Sequence, residues 1–339
     1  SHETGGTCYQ NIHLKIIPEI SLNSMRYVVA DPKYRVSGGF GHIFHDVLSS
    51  YIIAHLYDLK FVYSPLESLG DQHHSGKNHG YKEDSVQWDS FLRFSDGETL
   101  LGDMDLTRVE INLCNPFDSI DNKQLGDFIQ SHSDDNILFV LINNNRVYLN
   151  EVYYFNRPCY TKIFENLKSK LKHLETPKNN ELTVAMHIRR GDWDWQPLSY
   201  NIEFIKLLRS VVVDRPYRIN VYSLGTEQQL EEIRMLSQLD ENITFHFNTD
   251  VFETFSGIYN ADIVVGGHSN FPKTITMFSH NKFVYLPYKD GITRALGNHQ
   301  KSELYYLGHY PELFDEDNRI ETDVYCQKNR EAIMRILNF

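Results

Sequence analysis

No stretch of about 18 consecutive apolar residues occurs in this chain, so hydropathy offers no membrane-spanning helix. Cysteine is sparse and scattered. Cys8, Cys114, Cys159 and Cys326 form no CxxC or Cys/His spacing, which excludes a zinc knuckle, and four in this length do not make a disulfide scaffold. The count fits a reducing compartment, with two bridges left open. Basic charge is in deficit. Lys and Arg number 33 against 45 Asp and Glu, a net charge of −12. That balance excludes a general nucleic-acid binder, whose affinity needs basic surface, but it leaves room for one local cationic pocket. No GxGxxG precedes a helix in a β–α context, which speaks against a sugar-nucleotide epimerase or hydrolase. Repeats, low-complexity tracts and a signal peptide are also missing. The opening Ser-His-Glu-Thr-Gly-Gly has no methionine, as expected of a trimmed chain. Cytoplasmic placement is the expectation; a soluble domain trimmed from the Golgi lumen is the alternative.

What is present is a globular composition. The 339 residues are 41% hydrophobic and 13% aromatic, enough for two domains with sizeable cores. The aromatics, mostly Tyr and Phe, lean towards a sugar-binding cleft, although aromatics are more often core. Residues 184–192, Val-Ala-Met-His-Ile-Arg-Arg-Gly-Asp, carry the most information. They read as a buried strand that delivers a histidine and two arginines to its carboxyl end, where ligands bind in open α/β sheets. Adjacent arginines there suit a diphosphate. Alternation places His187 and Arg189 on one face, Ile188 and Arg190 on the other. One arginine then reaches a ligand while the other ties down the loop; a plain Arg–Asp pair with Asp192 closing the junction is the competing reading.

The organisation is that of two α/β halves. Arg26–Ala30 reads as a strand, residues 37–42 (Ser-Gly-Gly-Phe-Gly-His) as a glycine-rich turn, 43–57 as a helix and Leu59–Tyr63 as the next strand. Residues 67–104 look irregular, and His73, His74 and His79 within them read as part of a polar loop rather than a metal site. Strands are expected at 107–113 and 137–141, and a helix at 160–173. Pro177-Lys-Asn-Asn180 is the candidate linker, dividing residues 1–176 (acceptor side) from 181–339 (nucleotide-sugar side). Behind it strands at 182–188, 218–224, 243–247, 262–265 and 282–286 alternate with helices at 201–212, 226–238, 251–260 and 271–279. This spacing predicts a doubly wound parallel sheet. The tail is expected to pack back and to end in a helix near 329–337. Asn242-Ile-Thr244 is a single glycosylation sequon of a kind that arises by chance.

Three of these segments resemble one family. His187-Ile-Arg-Arg-Gly-Asp192 is similar to the HxRR motif of the fucosyltransferases forming α1,2 and α1,6 linkages and of protein O-fucosyltransferases. Residues 37–46, Ser-Gly-Gly-Phe-Gly-His-Ile-Phe-His-Asp, resemble the glycine-rich loop of that superfamily, closest to the core α1,6 branch. Residues 258–270 resemble its third motif, and Asn220–Glu227 more faintly its second. The resemblance implies an α/β, GT-B-like fold of two Rossmann-type domains facing a cleft. It implies inverting transfer of fucose from GDP-fucose to a glycan hydroxyl, with no metal and no further cofactor. By position, Arg189 would contact the β-phosphate beside His187, with Arg190 in the same cationic group. Gly39, Gly41 and His42 would line the diphosphate approach. Ser269 and Asn270 would bond phosphate or ribose, and Asp250 the guanine N1 and N2 hydrogens. Asp192 and Asp194 are the candidate bases. The stretch Trp193-Asp-Trp195-Gln-Pro197 departs from the core α1,6 pattern in lacking a glutamate a few residues on, so base and acceptor stay open. Trp193 and Trp195, in a loop at a strand end, would stack on an acceptor sugar or else cap the domain interface. His45 points either into the cleft or into the core, Asp262 reads as a helix–strand hinge, and Lys273 as a solvated lysine. The remaining alternatives are a same-fold transferase using another nucleotide sugar, and an inactive glycan-binding protein.

Overall fold

In a computed structural model the described residues are 25–30, 40–64, 85–102, 105–112, 123–132, 134, 136–142, 165–190, 198–267, 269–279, 282–285 and 304–306. The first sheet is built from β1 (Tyr27–Ala30), β2 (Lys60–Tyr63), β3 (Thr99–Leu100), β4 (Thr107–Asn112) and β5 (Ile137–Ile142). Helices α1 (Phe40–Leu56), α2 (Ser85–Leu92) and α3 (Lys123–Ser131) accompany it. The second contains β6 (Leu182–His187), β7 (Tyr217–Ser223), β8 (Ile243–Phe247), β9 (Ile263–Gly266), β10 (Lys282–Tyr285) and β11 (Leu304–Tyr306). Its helices are α4 (Ser199–Val211), α5 (Glu227–Arg234), α6 (Val251–Asn260) and α7 (Asn270–Phe278). Among the described residues every strand pair is parallel, in the orders β3-β2-β1-β5-β4 and β11-β10-β9-β6-β7-β8. The chain is thus an α/β protein with two Rossmann-type sheets.

Burial on both faces explains the strand composition. Tyr-Val-Val-Ala in β1 is buried throughout, and so is nearly all of Ile-Leu-Phe-Val-Leu-Ile in β5. Central parallel strands read as continuous apolar runs for this reason. Each sheet reverses direction once. From β6 the chain moves outward through β7 and β8, then returns to lay β9 on the other flank of β6. Helices α4 and α5 consequently cover one face, where Phe204, Leu208 and Ile233 pack on Val184, Met186 and Ile188. Helices α6 and α7 cover the opposite face and also meet the first half.

That meeting is where many aromatics go. Trp88 of α2 lies 4.7 Å from Phe252, Phe91 lies 5.4 Å from Phe255, and Phe44 of α1 lies 4.9 Å from Phe278. One apolar cluster therefore spans both sheets. Among the described residues the aromatics join the two halves, and the leaning towards a sugar cleft gains nothing from them. Glycine is required at one contact: a Cβ at Gly257 of α6 would sit 2.0 Å from the Tyr222 hydroxyl oxygen.

Residues 165–180 connect the halves. Helical backbone over 165–170 and a 3-10 turn at Lys172–Leu174 precede an exposed stretch through the expected linker. This stretch is anchored: Thr176 N–H donates to Asn260 Oδ1 (2.8 Å) and Lys178 Nζ meets Asp262 Oδ1 (2.6 Å). Asp262 also accepts from the Thr183 N–H and hydroxyl. Burial pushes the Asp262 carboxyl up, but the bonds from Lys178 and Thr183 outweigh it and hold the group below its usual range. Asp262 thus acts at the amino ends of the strands, the hinge position expected of it. Helix α2 and strand β3 lie within residues 67–104, which read as irregular, and helix α3 and strand β11 had no expectation from the sequence. The expected tail helix at 329–337 lies outside the described residues.

Candidate functional site

The carboxyl ends of β6 and β9 form the point where strand order reverses in the second sheet. Register pairs His187 with Gly266 there, and His187 with Tyr222 on the other flank. A crevice outside such a reversal is the standard ligand position of an open parallel sheet. The sheet brings three expected residues to it from separate parts of the sequence: His187 at the end of β6, Arg189 just past it, and Ser269 before α7.

His187 closes β6 with its ring 5.9 Å from that of Phe271 in α7. Its Nδ1 is buried without a hydrogen-bond partner. Burial, followed by the positive charge of Arg189, lowers the imidazole from 6.5 to about 4. The ring is therefore neutral at physiological pH, and it offers a hydrogen bond rather than charge. Charge comes from Arg189, close enough to act on that ring. Arg190 turns the other way, as strand alternation requires. Its side chain is only 2% exposed, Nη1 donates to the Arg189 carbonyl at 3.2 Å, and Nη2 lies 3.8 Å from Glu232 of α5. The structure places Arg190 under the β7–α5 turn, on the opposite face of the sheet from His187.

Helix α7 begins at the same edge. Ser269 is its buried N-cap and its hydroxyl makes no capping bond; the Ser269 N–H instead donates to the Gly267 carbonyl at 2.8 Å. The first amides of a helix lack internal acceptors and carry partial positive charge, a ready anion site. Lys273, in the second turn, differs from the solvated lysine expected: burial lowers its amine to about 8. It still carries its proton at pH 7.

Asp250 has a structural duty. Its Oδ1 accepts from the N–H groups of Phe252 (2.8 Å) and Glu253 (3.2 Å), capping α6. This leaves Oδ2 for any ligand. Gly41 lies in the first turn of α1, at the first sheet's own reversal between β1 and β5. His42, His45 and Asn270 occupy helical positions in α1 and α7, and their side chains are outside the described set. Gly39, Asp192, Asp194, Trp193, Trp195, His73, His74 and His79 lie outside the described residues. Among the described residues no group of three or more His, Cys, Asp and Glu is placed to hold a metal ion, and no helix is long and apolar enough to cross a membrane.

Sequence reasoning missed Ser223. This residue is buried, and its hydroxyl donates to the Ile188 carbonyl at 2.7 Å. The available signal was a polar residue closing the strand that runs through Ile219 and Val221. Nothing in the sequence marks Lys273 as half-buried.

No protein-family model matches the chain, and no curated protein sequence matches it. Solved structures do. The fucosyltransferase NodZ from Bradyrhizobium aligns with 76% of this chain and 93% of its own, at 12% identity and a TM-score of 0.39. A family 9 glycosyl transferase from Veillonella parvula aligns over 95% and 99%, at 9% identity and a TM-score of 0.43. A putative UDP-N-acetylglucosamine 2-epimerase from Listeria monocytogenes aligns over 93% and 90%, at 9% identity and a TM-score of 0.38. These alignments do not bear on donor or acceptor.

Proposed function

We propose that this chain is an inverting, GT-B-like glycosyltransferase that moves fucose from GDP-fucose to a glycan hydroxyl. The observation that carries the reading is the reversal crevice between β6 and β9. A buried His187 Nδ1 without a partner sits there beside the Arg189 charge, at the edge where α7 begins. Orphaned buried polar atoms are rare and call for a ligand or an ordered water. An anionic diphosphate answers that need, and its charge suits the guanidinium and the helix amides beside it.

The chemistry follows from charge development. As the glycosidic bond to phosphate breaks, negative charge grows on the β-phosphate and the sugar becomes oxocarbenium-like. Arg189, a neutral His187 and the amides of α7 would stabilise that leaving group without reorganising, the most effective form of electrostatic catalysis. Ser269 would add a hydroxyl, while Gly39, Gly41, His42 and Asn270 would line the donor. Asp192 or Asp194 would take the acceptor proton late in the reaction. No metal and no further cofactor enters this scheme.

A thermal-shift panel of GDP, UDP, CMP and their sugars tests it through mass action on the folded state. Stabilisation by the guanosine compounds alone is expected. Arg189→Ala should cut turnover by about two orders of magnitude, the scale of losing one such donor; near-normal turnover would show that the phosphate lies elsewhere. A transferase for another nucleotide sugar is the second reading, favoured by the capping duty of Asp250, which leaves one oxygen for guanine. A response to UDP alone would select it.

A further inference from the structure

We infer that Ser223 is a positioning residue that aims Arg189 at the donor's second phosphate, an inference that rests on the diphosphate reading above. Strand β6 ends at His187, yet the segment carrying both arginines continues for three residues beyond it. Something must hold that segment straight. On one side the β6–β7 ladder persists for one more bond, from Ile188 N–H to the Tyr222 carbonyl at 3.0 Å. The next bond in a parallel ladder would run from residue 224 to the Ile188 carbonyl. Chain direction has changed by then, because β7 ends at Ser223 and the turn into α5 begins. The Ser223 hydroxyl supplies the bond instead, at 2.7 Å and in a buried setting.

The donor of that bond is itself braced. The Ser223 carbonyl accepts from the Asn248 N–H at 3.0 Å. Asn248, in the left-handed region at φ +50°, clasps Gly225 with both amide atoms, receiving from its N–H (3.0 Å) and donating to its carbonyl (3.2 Å). Gly225 in turn lies against Arg190, where a Cβ would come within 3.2 Å of the Arg190 Cβ. The Arg190 guanidinium then bonds the Arg189 carbonyl. Two successive carbonyls, of Ile188 and Arg189, are thus gripped by side chains. With its own backbone fixed at both, Arg189 is held on the His187 face. An arginine off by an ångström loses much of its effect on a developing charge, so the hydroxyl acts through Arg189 and not on the ligand.

The test is calorimetric binding of GDP and GMP to the full chain, wild type and Ser223→Ala. Only GDP carries the second phosphate. Wild type should prefer GDP, and Ser223→Ala should weaken GDP binding about ten-fold while leaving GMP unchanged. Ser223→Thr, which keeps the hydroxyl, should restore the preference. In an Arg189→Ala background the serine change should have no further effect on the GDP-to-GMP ratio. If Ser223→Ala does not fold, Ser223→Cys takes its place, being similar in size and a far weaker donor. Equal losses for GDP and GMP, or no loss for GDP, would overturn the positioning role while leaving the diphosphate reading standing. A wild type that does not distinguish GDP from GMP would overturn that reading itself.

Discussion

At the residue scale the site depends on a histidine that stays neutral. Unfolded, the imidazole titrates at its ordinary 6.5; folded, burial and Arg189 bring it to about 4. Between those values the unfolded chain holds the proton and the folded chain does not. Stability from this group is therefore complete above pH 6.5 and is lost as pH falls towards 4. His187→Gln should flatten that acid limb. Melting temperatures at pH 7.0 and 4.5 would check it, with wild type losing more than the variant; equal losses would count against the buried, neutral ring. The position of His187 was legible, because a polar residue ending the apolar run Val184–Met186 marks a strand leaving the core. Its missing partner was not legible, since that depends on α7 closing over the ring from about 80 residues downstream.

Elements were legible in proportion to their periodicity. Strand β8 and helix α6 fall where the sequence puts them, at 243–247 and 251–260, because strand and helix alternate there at regular spacing. Helix α5 ends at Arg234 and continues as a 3-10 turn to Gln238, inside the single helix expected. Helix α3 was missed although Leu125 and Ile129 give it helical spacing, with Gly126 between them masking the signal. Helix α2 was missed although Trp88, Phe91 and Leu92 stand at i, i+3 and i+4, because its stripe spans a single turn within a polar stretch. Asp250 allows cap and recognition to be separated. Asp250→Ala should cost about 1 kcal/mol by loss of the cap, read by urea denaturation. Asp250→Asn retains an acceptor oxygen and should retain stability, while losing stabilisation by GDP if the carboxylate reads guanine. Full GDP stabilisation in the asparagine variant would remove Asp250 from the donor site.

At the scale of the whole molecule the two sheets share a core. Trp88 meets Phe252 and lies near Phe255 across the junction, so removing it should weaken both halves at once. Trp88→Ala should cost about 3–5 kcal/mol, as large buried aromatics do. Wild-type unfolding followed by tryptophan fluorescence and by far-ultraviolet circular dichroism should superimpose as one transition. Two separated transitions would show that the halves fold independently. The amino-acid sequence by itself determined most strands, most helices and the cationic end of β6, because these follow from local periodicity and from where an apolar run stops. Only the tertiary structure decided that His187 faces Gly266, that Arg190 lands under the β7–α5 turn, that Lys273 is half-buried, and that Ser223 holds the Ile188 carbonyl. Those four facts depend on strand order and register, which bring together segments tens of residues apart that carry no mark of one another along the chain.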